Sequence, residues 1–300
     1  MATPKILVTG ANGFVGRALC RRLLELDCRV YGLDINDKGA GEGFKRFYSI
    51  DITHPFELTE KFDFVFHLAA HNVTHVGSQS ADLYQLVNVR GTENVLNCAP
   101  AKNFIFLSTA KVYRAEGKPI TENSAIEPAS KYEASKFAAE NICRELFVRG
   151  KLCVFRSVNI VGPGQPDKAV IPVLFKKAAA GEAMEIFGPR ESFLQLLYVK
   201  DAVDAFVQVV ERDGLAGNYN LASKDHMRLD ELAESIKQIC GSKSEIRLTN
   251  QALAPFSEVL ANKVEKALGW KAKTTIREIL EKYYQQINVA NENSGRSPAN

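Results

Sequence analysis

The chain has 300 residues, of which 46% are hydrophobic and 24% charged, with a formal net charge of +3. This length allows one or two globular domains. The small net charge, without any run of five or more Lys and Arg residues, argues against nucleic acid and membrane surfaces as partners. The sequence contains no apolar run of transmembrane length and no signal-like N-terminus, so we expect a cytoplasmic protein.

Short apolar runs alternate with helical patterns through the first half of the chain. The predicted strands are Lys5 to Thr9, Arg29 to Leu33, Phe64 to Leu68, Phe104 to Ser108 and Leu152 to Arg156. The predicted helices are Arg17 to Leu26, Ala81 to Cys98 and Tyr132 to Arg149. This alternation predicts an α/β fold with a doubly wound parallel sheet that has helices on both faces.

Three glycines lie where the first strand ends and the first helix begins, in the segment T-G-A-N-G-F-V-G. Gly10 permits the tight turn, Gly13 lets backbone amides approach a pyrophosphate, and Gly16 lets the helix pack closely on the strand. The amides at the helix N-terminus then face the phosphates. In this strand-to-helix context the spacing predicts a Rossmann dinucleotide site.

Acidic residues at the ends of the next strands indicate which dinucleotide binds. Asp34 lies 18 residues after Gly16, close to the spacing of about 20 that is expected of a carboxylate that hydrogen-bonds the ribose hydroxyls. A carboxylate there would repel a 2′-phosphate, which favours NAD, while Lys38 leaves NADP open. Asp51 and Ile52 are expected to flank the adenine.

Histidines and cysteines give no metal-binding pattern. His67, His71 and His75 recur every four residues, but His67 ends an apolar strand, so the spacing is not helical there. The six cysteines are scattered without metal-ligand spacing. We therefore predict no metal site and free thiols.

Tyr132 and Lys136 are one helical turn apart, so both side chains project from one helix face. A nearby ammonium and a bound nicotinamide would bring the pKa of the phenol down from about 10, which makes Tyr132 the expected general base. The fourth strand delivers Ser108 and Thr109 to the carboxyl edge of the sheet, where a hydroxyl can hydrogen-bond the reacting oxygen.

The alternating pattern stops after Asn159 and gives way to loops rich in Gly and Pro and to short helices. We predict an NAD(P)-binding Rossmann domain formed by residues 1–158 and about 193–213. A smaller substrate-binding region would comprise residues 159–192 and 214–290. Residues 291–300 are polar and show no periodicity, which predicts a disordered tail.

Seven motifs occur in a familiar order: T-G-A-N-G-F-V-G, H-L-A-A, N-V-R-G-T, L-S-T-A-K-V-Y, Y-E-A-S-K, N-I-V-G-P-G and A-L-G-W. Over about residues 5 to 285 the chain resembles the extended short-chain dehydrogenases, the NAD-dependent epimerase/dehydratase family. The resemblance implies a catalytic set of Thr109, Tyr132 and Lys136, and a homodimer formed through the helices of Ala81 to Cys98 and Tyr132 to Arg149.

The resemblance also implies which residues contact the ligands. Around the cofactor it places Phe14, Val15, Asp34, Asp51, Ile52, Leu68, Ala69, Ala70 and Val158, together with the three glycines, Tyr132 and Lys136. Thr109 and Asn159 would contact substrate, and Asn88 would brace neighbouring backbone.

Three functions stay open from the sequence. The first is a nucleotide-sugar epimerase resembling UDP-glucose 4-epimerases, and the second is a reductase or dehydrogenase of a sugar nucleotide or another small carbonyl compound. A non-catalytic dinucleotide-sensing protein is the third. A dehydratase is disfavoured because Ala110 and Lys111 replace the Asp-Glu pair that follows the catalytic Thr in those relatives.

Three departures from the family pattern bear on the substrate. Leu194 takes the place of an Arg that binds diphosphate, and Arg190 is a candidate substitute. Ser157 replaces a common Tyr, and Arg114 replaces the Gly that closes V-Y-G. The substrate, and whether it carries a diphosphate, therefore stay open.

Overall fold

Twelve strands are distributed along the chain in the computed structural model, which describes residues 3–37, 43–72, 81–188, 192–249 and 256–293. The strands are β1 Lys5–Thr9, β2 Arg29–Asp34, β3 Arg46–Ser49, β4 Phe62–His67, β5 Ala101–Thr109, β6 Lys151–Ser157, β7 Asn159–Val161, β8 Met184–Phe187, β9 Phe193–Tyr198, β10 Gly217–Leu221, β11 His226–Arg228 and β12 Ile246–Thr249. The five predicted strands are confirmed as β1, β2, β4, β5 and β6.

Helices follow most of these strands. They are α1 Phe14–Glu25, α2 Ala81–Leu83, a π-helical segment Tyr84–Arg90, α3 Gly91–Cys98, a 3₁₀ turn Ala110–Val112, α4 Lys131–Leu146, α5 Val170–Ala180, α6 Val199–Glu211, α7 Leu229–Cys240, α8 Asn262–Leu268 and α9 Ile276–Asn293. The predicted tail begins too early, because α9 continues to Asn293; residues 294–300 lie outside the described residues.

A seven-stranded sheet forms the centre, with the strand order β10-β6-β5-β4-β1-β2-β3. Every neighbouring pair in it is parallel. Helices α1, α6 and α8 pack on one face of this sheet, and α3 and α4 pack on the other. The predicted doubly wound α/β fold is therefore confirmed.

No apolar run in the sequence marks the two outer strands of this sheet, although the placement of Asp51 and Ile52 at a strand end anticipates β3. β3 has an exposed residue at each end, and β10 carries Asn218 and Asn220. An edge strand has one neighbour and is less completely covered, so it needs no continuous apolar run. The pattern that predicts central strands is absent there for that reason.

The helix predicted over Ala81 to Cys98 is interrupted. Its middle, Tyr84–Arg90, is π-helical and continues into α3. The hydroxyl of Thr92 donates to the carbonyl oxygen of Asn88, 2.6 Å away. Apolar periodicity cannot reveal such a local change of winding, and π-helical segments often occur at functional sites.

A separate hydrophobic cluster lies in the second half of the chain, where α5, α7, α9 and parts of β8 and β9 pack together. Two small sheets accompany it, with the orders β11-β9-β7 and β12-β8. The domain boundaries given above stay a prediction. All six cysteines are free thiols, as expected. Within the described ranges, no helix is both long and apolar enough to cross a membrane.

Candidate active site

The strand order of the large sheet reverses next to β1. Strands β2 and β3 lie on one side of β1, whereas β4, β5, β6 and β10 lie on the other. In open parallel sheets, ligands bind in the crevice at such a reversal, outside the carboxyl ends of the strands. Gly10 follows β1 directly and α1 begins at Phe14, so the glycine turn lies at this crevice.

Close backbone approaches account for the three glycines of this turn. Gly10 has a φ of +69°, and a Cβ atom there would lie 2.7 Å from the amide nitrogen of Ala69. A Cβ atom at Gly16 would lie 2.0 Å from the carbonyl oxygen of Gly10, and one at Gly13 would lie 3.0 Å from the same oxygen. The turn therefore forms a cradle that larger residues would fill.

The first turn of α1 presents backbone amides at this cradle. Its N-cap residue, Gly13, makes no side-chain hydrogen bond, and the first turn carries no acidic residue. The side chains of Phe14 and Val15 pack into hydrophobic clusters, which leaves their amides as their polar groups. Free amides and the partial positive charge of a helix N-terminus suit the pyrophosphate of a dinucleotide.

The carboxylate of Asp34 binds two backbone amides, one of which belongs to the glycine turn. Its carboxylate accepts from the amide of Asn12, at 2.9 Å, and from that of Ile35, at 2.8 Å. Oδ1 of Asn12 is buried and has no hydrogen-bond partner among the described residues. Acceptors thus lie at the end of β2 beside the cradle, as a ribose site requires. Lys38, which left NADP open, lies outside the described residues.

Asp51 and Ile52 differ in the exposure of their side chains. The Asp51 carboxylate accepts from the amide of Thr53, at 2.9 Å, and is partly exposed. The side chain of Ile52 is buried, and a Cβ atom on Gly91 would lie 2.8 Å from its Cδ1. That side chain packs in the core against α3, and the expectation that Asp51 and Ile52 flank the adenine stays a prediction.

Leu68, Ala69 and Ala70 follow β4 on the other side of the crevice and are half-buried. The amide of Leu68 donates to the carbonyl oxygen of Thr9, 3.2 Å away, which ties the end of β4 to the end of β1. The backbone of Leu68 and Ala69 approaches Gly10 so closely that no side chain fits at position 10. The three residues therefore lie beside the cradle, where their prediction as cofactor contacts requires them.

His67 is a buried connector within the core. Its Nδ1 lies 2.6 Å from the hydroxyl of Thr9, and its Nε2 lies 2.9 Å from the hydroxyl of Thr92. Because Thr92 donates to the Asn88 carbonyl, it accepts from Nε2 of a neutral imidazole. Burial, reinforced by the charge of Lys136, lowers the pKa of His67 to about 3.

The other two histidines of the four-residue pattern do not line up with His67. His71 lies in the loop after β4, with its ring 5.2 Å from that of Tyr84, and His75 lies outside the described residues. Among the residues that are described, no three His, Cys, Asp or Glu side chains come together to hold a metal ion.

Thr109 and Ser108 end β5 but have different partners. The Thr109 hydroxyl accepts from the amide of Lys111, at 3.2 Å, and thereby caps the 3₁₀ turn. Its proton remains available for donation to a ligand. The Ser108 hydroxyl instead donates to the carboxylate of Glu140, 2.6 Å away, so the expectation that it could serve the reacting oxygen is wrong.

Tyr132 and Lys136 lie on the first turns of α4. The helix begins with a capping box, in which the Ser130 hydroxyl accepts from the Glu133 amide and the Glu133 carboxylate accepts from the Ser130 amide. This cap fixes the residue at which the helix starts, and therefore the position of Tyr132 within its first turn.

Burial shifts both members of the pair toward their neutral forms. It raises the pKa of Tyr132 to about 12, with smaller upward contributions from Glu133 and Tyr84. It lowers the pKa of Lys136 to about 8, and the Lys136 ammonium lies 4.1 Å from the centre of the Phe106 ring. The expected lowering of the Tyr132 pKa is therefore not a property of the protein alone, and would need the positive charge of a bound nicotinamide.

Asn88 braces neighbouring backbone, as expected. Its side chain bonds both the amide and the carbonyl oxygen of His71, at 2.7 and 3.0 Å. It also donates to the Ser135 hydroxyl, 2.9 Å away, which in turn donates to the carbonyl oxygen of Tyr132, 2.7 Å away. The loop after β4 is thus connected to α4, which carries Tyr132 and Lys136.

The substrate-side predictions fall near the ends of β6 and β9. Val158 is half-buried, and Asn159 is exposed at the start of β7. Leu194 is partly buried against the second-half hydrophobic cluster, so it supplies no charge. Arg190 lies outside the described residues. Arg114 forms ion pairs with Glu116 and Glu127.

One group that the sequence analysis missed is Glu140, which lies one turn beyond Lys136 and is fully buried. Its main partner is Arg156, with two atoms within 3.0 Å of the carboxylate. The four-residue spacing of Tyr132, Lys136 and Glu140 was the available signal, because it places the three side chains on one helix face.

Comparison with known proteins yields a family match. The profile of the NAD dependent epimerase/dehydratase family matches residues 6–222. A trifunctional UDP-glucose 4,6-dehydratase/UDP-4-keto-6-deoxy-D-glucose 3,5-epimerase/UDP-4-keto-L-rhamnose-reductase of Arabidopsis thaliana is 27% identical over 93% of this chain and 46% of its own length. The chain thus spans about half the length of the plant relatives that it matches.

Two further proteins are similar over nearly their full lengths. A UDP-N-acetyl-alpha-D-glucosaminuronate decarboxylase of Bacillus cytotoxicus is 28% identical, covering 90% of this chain and 89% of its own. The crystal structure of a UDP-glucuronic acid 4-epimerase from Bacillus cereus, in complex with UDP-glucuronic acid and NAD, superposes with a TM-score of 0.83 at 22% identity, covering 95% of this chain and 99% of that one. At that identity the likeness concerns the fold.

Proposed function

This chain belongs to the NAD dependent epimerase/dehydratase family, and from that premise we propose that it is an NAD-dependent epimerase of a sugar nucleotide, with Tyr132 as the base. One observation carries the proposal: Thr109 ends β5 at the same carboxyl edge of the sheet as the glycine turn, and no carboxylate follows it directly. The Tyr132–Lys136 helix is joined to that edge through Ser135, Asn88 and the loop after β4. Ala110 and Lys111 occupy the positions at which a dehydratase has its acid pair.

The residues at the crevice fit NAD. The cradle of Gly10, Gly13 and Gly16 would hold the pyrophosphate, and the Asp34 carboxylate would hold the adenosine ribose. Leu68 to Ala70 and Val158 would line the path of the dinucleotide along the sheet edge. When bound, NAD supplies a hydride acceptor that becomes a hydride donor in the return step.

The protein residues would move one proton and hold one oxygen. Tyr132 removes the proton of the substrate hydroxyl as the carbon becomes a ketone, and returns it when the alcohol forms again with the opposite configuration. Thr109 donates a hydrogen bond to the same oxygen. Lys136, one turn further along α4, would add a positive charge to that of the bound nicotinamide, and both charges would favour the phenolate of Tyr132.

The proposed substrate class comes from the relatives, which act on UDP-sugars. Asn159 and Arg190 are the proposed contacts on the substrate side. The loss of positive charge at Leu194 favours a second candidate, a reductase or dehydrogenase of a small carbonyl compound without a diphosphate. The family's chemistry serves both reactions with the same tyrosine.

The decisive measurement is turnover of UDP-hexoses and UDP-hexuronic acids by the purified protein. Epimerisation without any steady change in NADH absorbance supports the proposal, and Tyr132→Phe should lower kcat by about 10²–10⁴-fold. Steady oxidation of added NADH or NADPH would instead establish the second candidate. The control is Tyr48→Phe, since Tyr48 bonds Glu60 near the far edge of the sheet. An active Tyr132→Phe enzyme would contradict the role of that tyrosine.

A further inference from the structure

The carboxylate of Glu140 is buried on the inner face of the catalytic helix. The residue lies on α4, one turn beyond Lys136 and two turns beyond Tyr132, and it has no exposed surface. Transferring a carboxylate from water into the core is costly unless its oxygens are hydrogen-bonded. The burial alone would raise the pKa of Glu140, but hydrogen bonds from Arg156 and other partners outweigh it and keep the group ionised.

Three side chains saturate this carboxylate, and with it they form what we call the Glu140 cluster: Ser108, Glu140, Arg144 and Arg156. Arg156 donates from Nε to Oε1, at 3.0 Å, and from Nη2 to Oε2, at 2.6 Å. Ser108 donates to Oε1, at 2.6 Å, and Arg144 donates to Oε2, at 2.7 Å. Paired donation from a planar guanidinium fixes direction as well as distance.

Two of the three partners of Glu140 lie at the carboxyl ends of neighbouring strands, β5 and β6. Ser108 immediately precedes Thr109 in β5, and Arg156 is the next-to-last residue of β6. Ser108 and Arg156 stand opposite each other in the parallel ladder. Glu140 therefore connects α4 to β5 and β6 at the height where Thr109 leaves the sheet.

The connection extends past β6 to the edge of the sheet. The Arg156 guanidinium lies 4.8 Å from the centre of the Tyr113 ring, and the Tyr113 hydroxyl donates to Oδ1 of Asn220 on β10, 2.8 Å away. Asn220 in turn donates to the carbonyl oxygen of Leu260, 3.1 Å away. Arg156 thus also contacts the edge of the sheet, through Tyr113.

We propose that Glu140 is a positioning residue, whose bonds to Ser108 and Arg156 set the placement of Tyr132 and Lys136 on α4 relative to Thr109 on β5. The inference rests on the proposed function. Hydrophobic residues of similar volume could stabilise this contact equally well or better, but they would leave the helix free to slide or rotate by small amounts. Directional hydrogen bonds restrict those movements.

A test of this proposal must distinguish the electrostatic effect of the Glu140 charge on Lys136 from the effect of Glu140 on the position of α4. Lys136 is faced by His67 from β4, by the Phe106 ring from β5, and by Glu140 and Cys143 from its own helix. Removing Glu140 alone would leave the charges of Arg144 and Arg156 uncompensated. Removing Glu140 and Arg156 together leaves the net charge of the cluster at +1, because one negative and one positive group are lost.

The test therefore uses the double variant Glu140→Met/Arg156→Met, together with the milder Ser108→Ala, which removes one bond and no charge. The control is Asp201→Asn on α6. Asp201 is also buried and hydrogen-bonded, through the amides of Lys273 and Thr274, but none of its described partners lies on β5 or α4. The Asp201→Asn variant therefore shows how a loss of folding stability alone changes kcat, KM and the Tyr132 titration.

Two readouts are followed. The first is the split between kcat and KM for the substrate that the wild-type enzyme turns over. The second is the pH titration of the Tyr132 ring carbon in ¹³C-tyrosine-labelled protein with NAD, assigned among the nine tyrosines by its loss in Tyr132→Phe.

We expect the double variant to lose about 10²-fold in kcat with KM unchanged, since small misplacements cost that much, and Ser108→Ala to lose less. The Tyr132 titration should move to higher pH in both, while Asp201→Asn should leave both readouts at the wild-type values. Wild-type kcat and titration in both variants would overturn the proposal, as would equal shifts in Asp201→Asn. If the double variant does not fold, Ser108→Ala decides.

Failure of the proposed function would be recognised separately. A wild-type protein that binds NAD but turns over no sugar nucleotide contradicts the proposed reaction, whereas the Tyr132 titration still tests the placement. If the wild-type enzyme epimerises a sugar nucleotide and the variants of the Glu140 cluster keep its kcat and Tyr132 titration, only the role of Glu140 is contradicted.

Discussion

His67 holds three segments together from inside the core. It bonds Thr9 at the end of β1 and Thr92 on α3, and it is itself the last residue of β4. Its ring neighbours are Phe104 and Phe106, with centroids at 5.9 and 5.7 Å. A second proton on this imidazole would place a charge in apolar surroundings, and this property has a measurable effect on stability.

The free energy of unfolding should decrease as the pH is lowered because of His67. Its folded pKa of about 3 lies below the unfolded value of about 6.5, so the unfolded state binds more protons between these values. The contribution is fully present above pH 6.5 and is lost, by up to about 1.4 kcal/mol per pH unit, as the pH falls toward 3.

Chemical denaturation of the wild type and of His67→Gln at several pH values measures this slope. The variant should be less stable at neutral pH but should lose stability less steeply between pH 6 and 4. His54→Gln is the control, because His54 is exposed. Identical slopes for wild type and His67→Gln would show that His67 titrates normally in the folded protein.

At the scale of the element, the glycine turn is the proposed pyrophosphate site. In Gly16→Ala the added methyl group would meet the carbonyl oxygen of Gly10, which cannot move without distorting the turn. We expect a loss of about 1–3 kcal/mol in unfolding free energy and a loss of NAD binding by calorimetry.

Gly241→Ala gives the matched control for that substitution. Gly241 follows the last residue of α7, has a φ of +61°, and has open space within 4 Å of where an added methyl group would lie. It should cost about 1 kcal/mol from its backbone alone and leave NAD binding intact. Normal NAD affinity in Gly16→Ala would mean that the turn is not the pyrophosphate site.

The sequence predicts the central elements well and the peripheral ones poorly. Strands β1, β4 and β5 are buried between two layers of helices, and their apolar runs identify them. The winding of Tyr84–Arg90 and the outer strand β10 leave no such signal. Among the candidate site residues, spacing identifies Tyr132 and Lys136, whereas the partners of Ser108 and Ile52 depend on tertiary contacts that no local pattern encodes.

At the level of the whole molecule, the surface of the predicted dimer helices carries apolar side chains. Leu86, in the π-helical segment, and Leu146, on α4, are 41% and 40% exposed. The predicted homodimer would bury them between two copies of the chain. We expect light scattering to give about twice the chain mass of 33.2 kDa.

Leu86→Asp/Leu146→Asp should convert this dimer to a monomer, because each interface would then bury charges without partners. Val170→Asp is the control, since Val170 is 64% exposed but lies on α5, away from the predicted interface. A wild-type protein that scatters as a monomer would contradict the predicted homodimer.

The strand order of the large sheet has a consequence for how the protein can be divided. Strand β10 is the last of the seven in sequence, and in this sheet it pairs with β6 alone. Its Asn220 accepts a hydrogen bond from the Tyr113 hydroxyl. A fragment ending before Gly217 would contain the glycine turn, Thr109, Tyr132 and Lys136, yet β6 would lose its outer neighbour. We therefore expect such a fragment to fold poorly on its own, because its central sheet is completed only by a strand that lies far from β6 in sequence.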